Sequence, residues 1–396
     1  MFNSTNGRMR MDIKKVAIVG TGVAGLTTAY FLAKKGYQID LFDRNTSVAS
    51  ECSYANGGQI SVCNAEVWNT WENVMHGLGW LRKADAPLSL RLDVLGWKKI
   101  KWLANFLGTT ALGRYQKNTR KIIEYSLRSR ELLLELESDI NIRYDQQYCG
   151  IVHVYSNGAS YRHALEHNKK FIDTGWNVQD IDVDKIEGIK TKDIVGATIA
   201  PDDWVGDINL FCRELFYHLM SKYPVSKYKN SVTRKQTKET GNIGLDTLQR
   251  DYDEVIVAAG ADTARLVPGT GIYPVKGYSI TIKDTKDTAP KYSILDDEKK
   301  IVSSTFGDKF RVAGTAELAG YNTRIREDRL WPLLKWTKNT TYVEPENYTS
   351  WACLRPMTPN MLPIVKKVGN VWVNSGAGHL GWTMGMALAE KISGKL

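Results

Sequence analysis

The sequence predicts an α/β fold built around a parallel sheet. A short β-branched strand, Lys15–Val19, runs into a glycine-rich turn and then into a helix of regular apolar spacing. Residues 253–259 form a second run that is apolar enough for a strand buried on both faces. A third strand at 370–374 leads into another glycine-rich turn and an Ala/Met/Leu helix that ends at Ile392. Strands that alternate with helices in this way are typical of parallel sheets covered by helices.

Length and composition describe a globular protein that folds in water. The 396 residues are 43% hydrophobic and 24% charged, with a mean hydropathy of −0.33, which excludes a disordered, collagen-like or small disulfide-stapled protein. The length fits about two domains. The 53 Lys and Arg residues outnumber the 43 Asp and Glu residues, and the net charge of +10 favours phosphates, anionic lipid surfaces or carboxylate substrates without choosing among them.

The cysteines and the first residues indicate a cytoplasmic protein. The cysteines are odd in number, widely scattered and without a C-x-x-C pair, so we expect neither a disulfide framework nor a metal site. Residues 1–12 are polar and no apolar run approaches about 18 residues, so we expect neither a standard secretion signal nor a membrane-spanning helix.

The first glycine-rich turn predicts a dinucleotide site. Gly20 allows a tight turn, Gly22 lets the backbone approach a pyrophosphate, and Gly25 lets the helix pack closely on the strand. The next predicted strand ends in Asp43, where a carboxylate can accept hydrogen bonds from ribose hydroxyls. Because strand, turn, helix and acid follow in this order, we prefer a dinucleotide site to an ordinary glycine turn.

Two later segments favour a flavin over a nicotinamide. The strand at 253–259 runs into Gly260, where the absent side chain would let the loop touch a cofactor. The turn at 375–383 opens a second helix N-terminus, whose positive end suits the flavin pyrimidine edge. An enzyme that binds only a nicotinamide has no need of this element.

Six segments resemble the D-amino-acid oxidase-like flavoprotein superfamily, and within it the D-amino-acid dehydrogenase branch, nearly from end to end. They are residues 51–61, 86–93, 206–207, 273–279, 354–359 and 380–383. The resemblance implies non-covalent FAD and hydride transfer from the α-carbon of a D-amino acid to the flavin. The imino acid would hydrolyse to a 2-oxo acid and ammonia, and the electrons would pass to a quinone or a similar acceptor.

Fold and resemblance together predict two interleaved domains. A Rossmann-like FAD-binding domain with a parallel sheet would comprise 12–63, 203–268 and 354–396. An α+β substrate domain with a mixed or antiparallel sheet would comprise 64–202 and 269–353. Within the second domain, the charged and turn-rich stretch 283–300 predicts a surface loop.

The resemblance implies four residues that act on the substrate or the flavin. Arg355 would hold the substrate carboxylate, since a planar guanidinium suits a carboxylate. Tyr278 and Tyr321 would cover the substrate with their hydroxyls, and His379 would face the flavin. The alternatives to these functional roles are structural: an ion pair for Arg355, packing for the two tyrosines, and a helix cap or solvent contact for His379. We nominate no general base.

The remaining expected contacts are with FAD. Asp43 and Arg44 would contact the ribose and adenine, and Val232 would contact adenine through its backbone. The full expected set comprises Gly20, Gly22, Val23, Ala24, Gly25, Asp43, Arg44, Ser53, Asn56, Gly57, Gly58, Gln59, Val232, Gly260, Gly378, His379, Leu380, Gly381, Trp382 and Thr383.

Cys353 departs from the glycine that is typical of the dehydrogenases. It lies five residues before Thr358-Pro359, as does the cysteine that bonds to the flavin in monomeric sarcosine oxidases. Covalent attachment is therefore a minority hypothesis, and the alternative is a small buried hydrophobic residue.

The segment 67–120 interleaves tryptophans with basic residues. The stretch 97–107 has helical apolar spacing and a basic face, as a helix on an anionic membrane would. The alternative is a set of partly solvated helices that cover the substrate domain.

Two other activities remain open. A relative that oxidises glycine, sarcosine or proline would need the same carboxylate contact at Arg355. A flavin-dependent tRNA-modifying enzyme would fit the basic charge, but the amino-acid enzymes match better at 276–278 and 354–359, so we do not expect a nucleic-acid partner.

Overall fold

A computed structural model describes residues 13–80, 87–90 and 96–396. It confirms the mixed α/β fold, with one sheet that is almost entirely parallel and a second that is mixed. The two sheets face a large shared cavity.

The strands, numbered along the chain, have the following bounds. They are β1 Lys15–Val19, β2 Gln38–Asp43, β3 Gln59–Ile60, β4 Leu88–Leu90, β5 Ile151–Tyr155, β6 Gln179–Ile181, β7 Gly196–Ala200, β8 Trp204–Val205, β9 Val225–Lys229, β10 Ser231–Thr233, β11 Asn242–Gly244, β12 Glu254–Val257, β13 Tyr273–Ile282, β14 Ser293–Asp296, β15 Ile301–Phe306, β16 Lys309–Leu318, β17 Tyr348–Met357, β18 Ile364–Val368 and β19 Val371–Ser375.

The helices connect and cover these strands. They are α1 Val23–Lys34, α2 Trp71–Trp80, α3 Trp97–Ala111, α4 Tyr115–Ile140, α5 Gly158–Lys169, α6 Ile208–Lys222, α7 Leu245–Asp251, α8 Thr263–Leu266, α9 Glu327–Thr340 and α10 Gly385–Ser393.

The first sheet has the order β18-β19-β12-β1-β2-β9, and its pairs are parallel apart from β18 with β19. Strand β1 lies in the middle, with Ile18 opposite Leu41 on one side and Ile256 on the other. All three side chains are fully buried, which explains why these strands are continuous apolar runs in the sequence.

The second sheet has the order β17-β13-β16-β15-β14-β5-β7-β6, and β4 pairs with β16. Most neighbours are antiparallel, whereas β14 with β5 and β4 with β16 are parallel. Strand β17 crosses residue 354, where our expected boundary between the domains lies, so the chain passes from one sheet to the other beyond Met357. The domain boundaries themselves stay a prediction.

The loop expected at 283–300 is wrong in its second half. Ser293–Asp296 form β14, which lies between β15 and β5. Asp296 is buried there. Its carboxylate accepts hydrogen bonds from Trp336 Nε1 and Lys299 Nζ, both at 2.9 Å, and these bonds compensate for the loss of water. Because charged residues flank this short strand on both sides, the sequence pattern resembles that of a surface loop.

Helix α3 has a more mixed environment than its apolar spacing suggests. Trp102 is buried and its Nε1 donates to the Met357 carbonyl at 2.9 Å, whereas Trp97 is 75% exposed. Lys99 is buried, so it does not belong to the expected basic face. Within the described ranges, none of the helices is long and apolar enough to cross a membrane.

Candidate active site

A large cavity lies between the two sheets. Its volume is about 1640 Å³, and its wall includes the first glycine-rich turn, the turn before α10 and one face of the mixed sheet. Pockets for one small ligand are usually about 300–1,000 Å³. The cavity therefore has room for a dinucleotide together with a substrate.

The glycine cradle, formed by Gly20, Gly22 and Gly25, closes one end of the cavity. Gly20 has a φ of +106°, and a Cβ there would lie 2.5 Å from the Ala258 carbonyl oxygen. A Cβ on Gly25 would lie 1.9 Å from the Gly20 carbonyl oxygen. Side chains are thus excluded by backbone contacts, and the turn can bring its own N–H groups to a phosphate.

Asp43 is held at the edge of this cradle, as expected for a ribose contact. Its Oδ2 accepts hydrogen bonds from the backbone N–H and the hydroxyl of Thr21, at 2.9 and 2.8 Å. Its Oδ1 accepts from the Asn45 N–H at 2.8 Å. These bonds fix the carboxylate at the carboxyl end of β2, where it lines the cavity.

Arg44 also lines the cavity, but its guanidinium bridges two carboxylates. Its Nη2 lies 2.7 Å from Glu51 and its Nη1 lies 2.8 Å from Asp262. The arginine therefore joins the loops that follow β2 and β12. Its expected role at adenine stays a prediction.

The loop at 53–59 packs across the cradle. Ser53 Oγ accepts from the Val23 N–H at 3.1 Å, and Asn56 Oδ1 accepts from the Gly58 N–H at 2.9 Å. The Gln59 side-chain amide donates to Ser293 Oγ at 2.8 Å, so this side chain is hydrogen-bonded to strand β14 of the mixed sheet. The loop places backbone atoms along the cavity, as a cofactor contact requires.

The turn before α10 forms the opposite side of the cofactor site. Gly378 has a φ of +59°, and a Cβ there would lie 2.8 Å from Met357 Sδ. Leu380 and Trp382 are buried, and the Trp382 ring packs against Tyr144. Their side chains support the turn, so their contacts with a cofactor would be made through the backbone.

Two further expected cofactor residues lie on the cavity wall. Val232 lies on β10, and Gly260 follows β12 with a φ of +54°. The Gly260 carbonyl accepts from Ser375 Oγ at 2.9 Å, which ties the loop after β12 to the end of β19.

His379 projects from the same turn and stacks on Trp68, with ring centroids 4.9 Å apart. Burial, with the nearby charges of Arg355 and Lys300, lowers the pKa of His379 to about 3, so its ring is neutral at neutral pH. Its Nδ1 is buried and has no hydrogen-bond partner among the described residues. A neutral imidazole in this position is available to a bound ligand.

Arg355 lies on the mixed-sheet side of the cavity with Gly277 and Thr315, and we call these three residues the arginine wall. Arg355 Nη1 donates to the Thr315 carbonyl at 3.0 Å. A Cβ on Gly277 would lie 2.4 Å from Arg355 Cζ, so any larger residue there would push the guanidinium out of its present position. Among the described residues no carboxylate lies within ion-pair distance of Arg355, which argues against the alternative of a structural ion pair.

Tyr278 belongs to a buried ionic cluster that sequence reasoning missed. Its hydroxyl donates to Glu317 Oε2 at 2.5 Å, and the same carboxylate lies 2.9 Å from Lys276 and from Arg326. Burial opposes ionisation of Glu317, but the bonds from Tyr278, Lys276 and Arg326 outweigh it and hold its pKa below the ordinary value. The hydroxyl expected at the substrate is therefore already engaged.

Tyr321 has different surroundings from Tyr278. Its hydroxyl donates to the Ala261 carbonyl at 3.0 Å, and the Arg265 guanidinium lies 3.6 Å from its ring centroid. Of the two tyrosines, Tyr278 alone is among the described residues that line the cavity. The packing alternative fits this position of Tyr321 better.

Cys353 lines the cavity beside a second cysteine. The Cys52 thiol donates to the carbonyl of Leu354, the residue that follows Cys353, at 2.9 Å. Cys353 is partly exposed, whereas the alternative to covalent attachment describes a buried residue.

A hydrogen-bonded cluster at the far end of the cavity was not expected. The Tyr115 hydroxyl lies 2.8 Å from Glu66 Oε2 and 2.7 Å from His167 Nε2. Burial raises the pKa of Glu66, and burial lowers the pKa of His167 to about 4. The three residues come from separate segments with no motif between them, so the sequence carried no signal for the cluster.

These features fit a bound dinucleotide. The glycine cradle excludes side chains from the approach to α1, Asp43 is presented where a ribose would lie, and the cavity continues to the arginine wall. The profile of the FAD dependent oxidoreductase family, DAO, matches residues 15–394. The chain belongs to this family of FAD-dependent oxidoreductases.

Individual members of the FAD-dependent oxidoreductase family match over nearly the whole chain. D-amino acid dehydrogenase 3 of Mesorhizobium japonicum is 37% identical over 96% of both chains. D-amino acid dehydrogenase of Paramagnetospirillum magneticum is 34% identical over 96% of this chain and 95% of its own. The solved structure of glycine oxidase from Geobacillus kaustophilus has a TM-score of 0.71 at 16% identity, covering 96% of this chain and 95% of its own, a likeness that shows the shared fold. The expected family and cofactor are thereby confirmed.

Proposed function

We propose that this protein catalyses the FAD-dependent oxidative deamination of D-amino acids to 2-oxo acids and ammonia. The observation that carries the proposal is Arg355, a guanidinium on the cavity wall without a carboxylate partner among the described residues. The similarity to D-amino acid dehydrogenases over 96% of the chain supports the substrate class.

The residues of this chain would bind and orient the substrate. Bound FAD would supply the acceptor for a hydride from the α-carbon. The Arg355 guanidinium would hold the carboxylate through two parallel N–H donors, while Gly277 leaves the space in which the guanidinium lies. Positioning of this kind can contribute much of the rate without a side-chain base.

The first experiment is anaerobic reduction of the purified yellow protein by D- and L-amino acids, glycine, sarcosine and proline. We expect D-amino acids to bleach the flavin band at about 450 nm, with reoxidation fast by a quinone and slow in air. Bleaching by glycine, sarcosine or proline alone would move the protein to that substrate class. Bleaching by none of them would contradict the proposal.

Substitution of Arg355 tests the carboxylate contact. Arg355→Ala should lower kcat/KM for a D-amino acid by about 30- to 3,000-fold, and Arg355→Lys should recover only part of this loss. Arg120→Ala is the matched control, because that arginine forms an exposed pair with Asp173. Flavin content must be unchanged in all three variants, and an unaltered kcat/KM in Arg355→Ala would reject this role.

We further propose that a quinone in an anionic membrane accepts the electrons. Large apolar side chains are exposed on two helices that follow each other in the chain, Trp71 and Met75 on α2 and Trp97 and Ile100 on α3. Lys98 and Lys101 are also exposed on α3, although the basic residues expected at 82 and 83 lie outside the described residues. Apolar side chains flanked by lysines suit an anionic lipid surface.

Vesicle sedimentation tests the membrane contact. We expect the protein to pellet with anionic vesicles and to be released by high salt, and the double variant Trp71→Ser/Trp97→Ser to remain in the supernatant. Trp331→Ser is the control, because Trp331 is 59% exposed on a different helix, α9. Absence of pelleting at any salt concentration would reject the membrane contact and leave the deamination proposal intact.

A further inference from the structure

Thr315 has a backbone conformation that its side chain disfavours. It lies on β16 with a φ of +54°, where a β-branched residue is strained. The pairing of β13 with β16 shifts at this point, since Lys276 faces Glu317 but Tyr278 faces Gly314. Thr315 is therefore part of a β-bulge opposite Gly277, and bulges of this kind redirect side chains next to active sites.

At the bulge, the backbone carbonyl of Thr315 has a hydrogen-bond partner, whereas its side-chain hydroxyl has none among the described residues. Its carbonyl accepts the hydrogen bond from Arg355 Nη1 at 3.0 Å. Its Oγ1 is buried and has no hydrogen-bond partner among the described residues, and the residue lines the cavity at 4% exposure. A buried hydroxyl without a partner is unfavourable unless a ligand completes it.

We propose that the Thr315 hydroxyl and the Arg355 guanidinium together bind the carboxylate of the substrate. The inference rests on the proposed function. The Arg355–Thr315 bond fixes one guanidinium nitrogen against the bulge, and the same threonine lines the cavity with a buried hydroxyl that lacks a partner among the described residues. A carboxylate can accept from an O–H and from two N–H groups at once, because each oxygen has two lone pairs. Thr315 would thus strengthen the binding of the carboxylate that Arg355 holds.

Two substitutions separate the hydroxyl from the rest of the residue. Thr315→Val keeps the shape, the branched Cβ and the carbonyl, but removes the hydroxyl, whereas Thr315→Ser keeps the hydroxyl. We expect Thr315→Val to raise KM for D-alanine by about 10- to 100-fold with little change in kcat, and Thr315→Ser to stay near the wild type.

A binding measurement excludes indirect effects on the chemistry. The dissociation constant of a carboxylate that cannot be oxidised, such as acetate, is obtained from its perturbation of the flavin spectrum. It should rise in Thr315→Val by the same factor as KM. An unchanged KM for D-alanine, or unchanged acetate binding, in Thr315→Val would overturn the inference. If the wild type oxidises D-alanine in that experiment, the proposed function stands even when the role of Thr315 fails.

Discussion

The glycine cradle and the arginine wall face the same cavity but are built by opposite means. The cradle is made of backbone, and its contacts fail if a Cβ is added at Gly25. The wall also contains a glycine, Gly277 on β13, but it depends on the side chains of Thr315 on β16 and Arg355 on β17. A buried carboxylate with three partners, Glu317, lies on the same strand as Thr315. The difference teaches that backbone alone can specify one end of a site, whereas the other end needs polar side chains.

The largest effect should come from filling the cradle. Gly25→Val places atoms on the Gly20 carbonyl oxygen, so we expect loss of flavin binding and a fall in the free energy of unfolding of about 4 kcal/mol or more. Flavin content and chemical denaturation measure both. Gly79→Ala is the control, because nothing lies within 4 Å of a Cβ there. Flavin retained at the wild-type level by Gly25→Val would contradict this account of the cradle.

The next effect should come from the charge behind the wall. Glu317→Gln leaves Lys276 and Arg326 without their buried anion, and we expect the free energy of unfolding to fall by about 3–5 kcal/mol. Glu166→Gln, which breaks a fully exposed pair with Lys169, should leave the free energy of unfolding nearly unchanged. If the two variants lost the same free energy of unfolding in urea denaturation, the buried cluster would contribute no more to stability than an exposed ion pair.

Acid should weaken the mixed sheet through His153. This side chain on β5 is buried, and burial lowers its pKa to about 4 from an ordinary value of 6.5. The unfolded chain therefore binds the proton first, so stability falls as the pH drops from 6.5 towards 4. We expect His153→Leu to remove on the order of 2 kcal/mol of this decrease relative to neutral pH. A pH dependence identical to that of the wild type would assign the acid sensitivity to other groups.

The smallest effect should come from the exposed charge at the cradle. Arg44→Gln breaks contacts with Glu51 and Asp262 at the surface, and we expect a loss below about 1 kcal/mol that disappears in high salt. Thermal unfolding at low and high salt measures it. A loss as large as that of Glu317→Gln would remove the contrast between the two regions.

The cradle was accessible to prediction because its information is local. Gly20, Gly22 and Gly25 lie in one turn, and Asp43 follows at the end of the next strand, so spacing alone places them together. The strand at β1 and the helix before Ile392 followed from the same short-range patterns.

The wall was accessible only in part. Resemblance identified Arg355, but Thr315, Glu317 and Gly277 become its surroundings only when β13, β16 and β17 pair. The same reason explains why the surroundings of Tyr321 and the strand β14 were not predicted, since their contacts come from residues far away in the chain. Long-range pairing decides which polar side chain is buried, and a local pattern does not contain it.

The contact between α1 and α10 has a consequence for the order of folding. Thr27 Oγ1 donates to the Gly385 carbonyl at 3.3 Å, and Asn374 Nδ2 donates to Thr28 Oγ1 at 3.0 Å, so the first helix is completed by residues more than 340 positions later. At about 5–20 residues per second, the ribosome needs roughly 20–70 s to deliver them. The nucleotide site therefore cannot be completed until nearly the whole polypeptide has been synthesised. Until then, the apolar surface of α1 must be shielded from water by contacts other than those with α10.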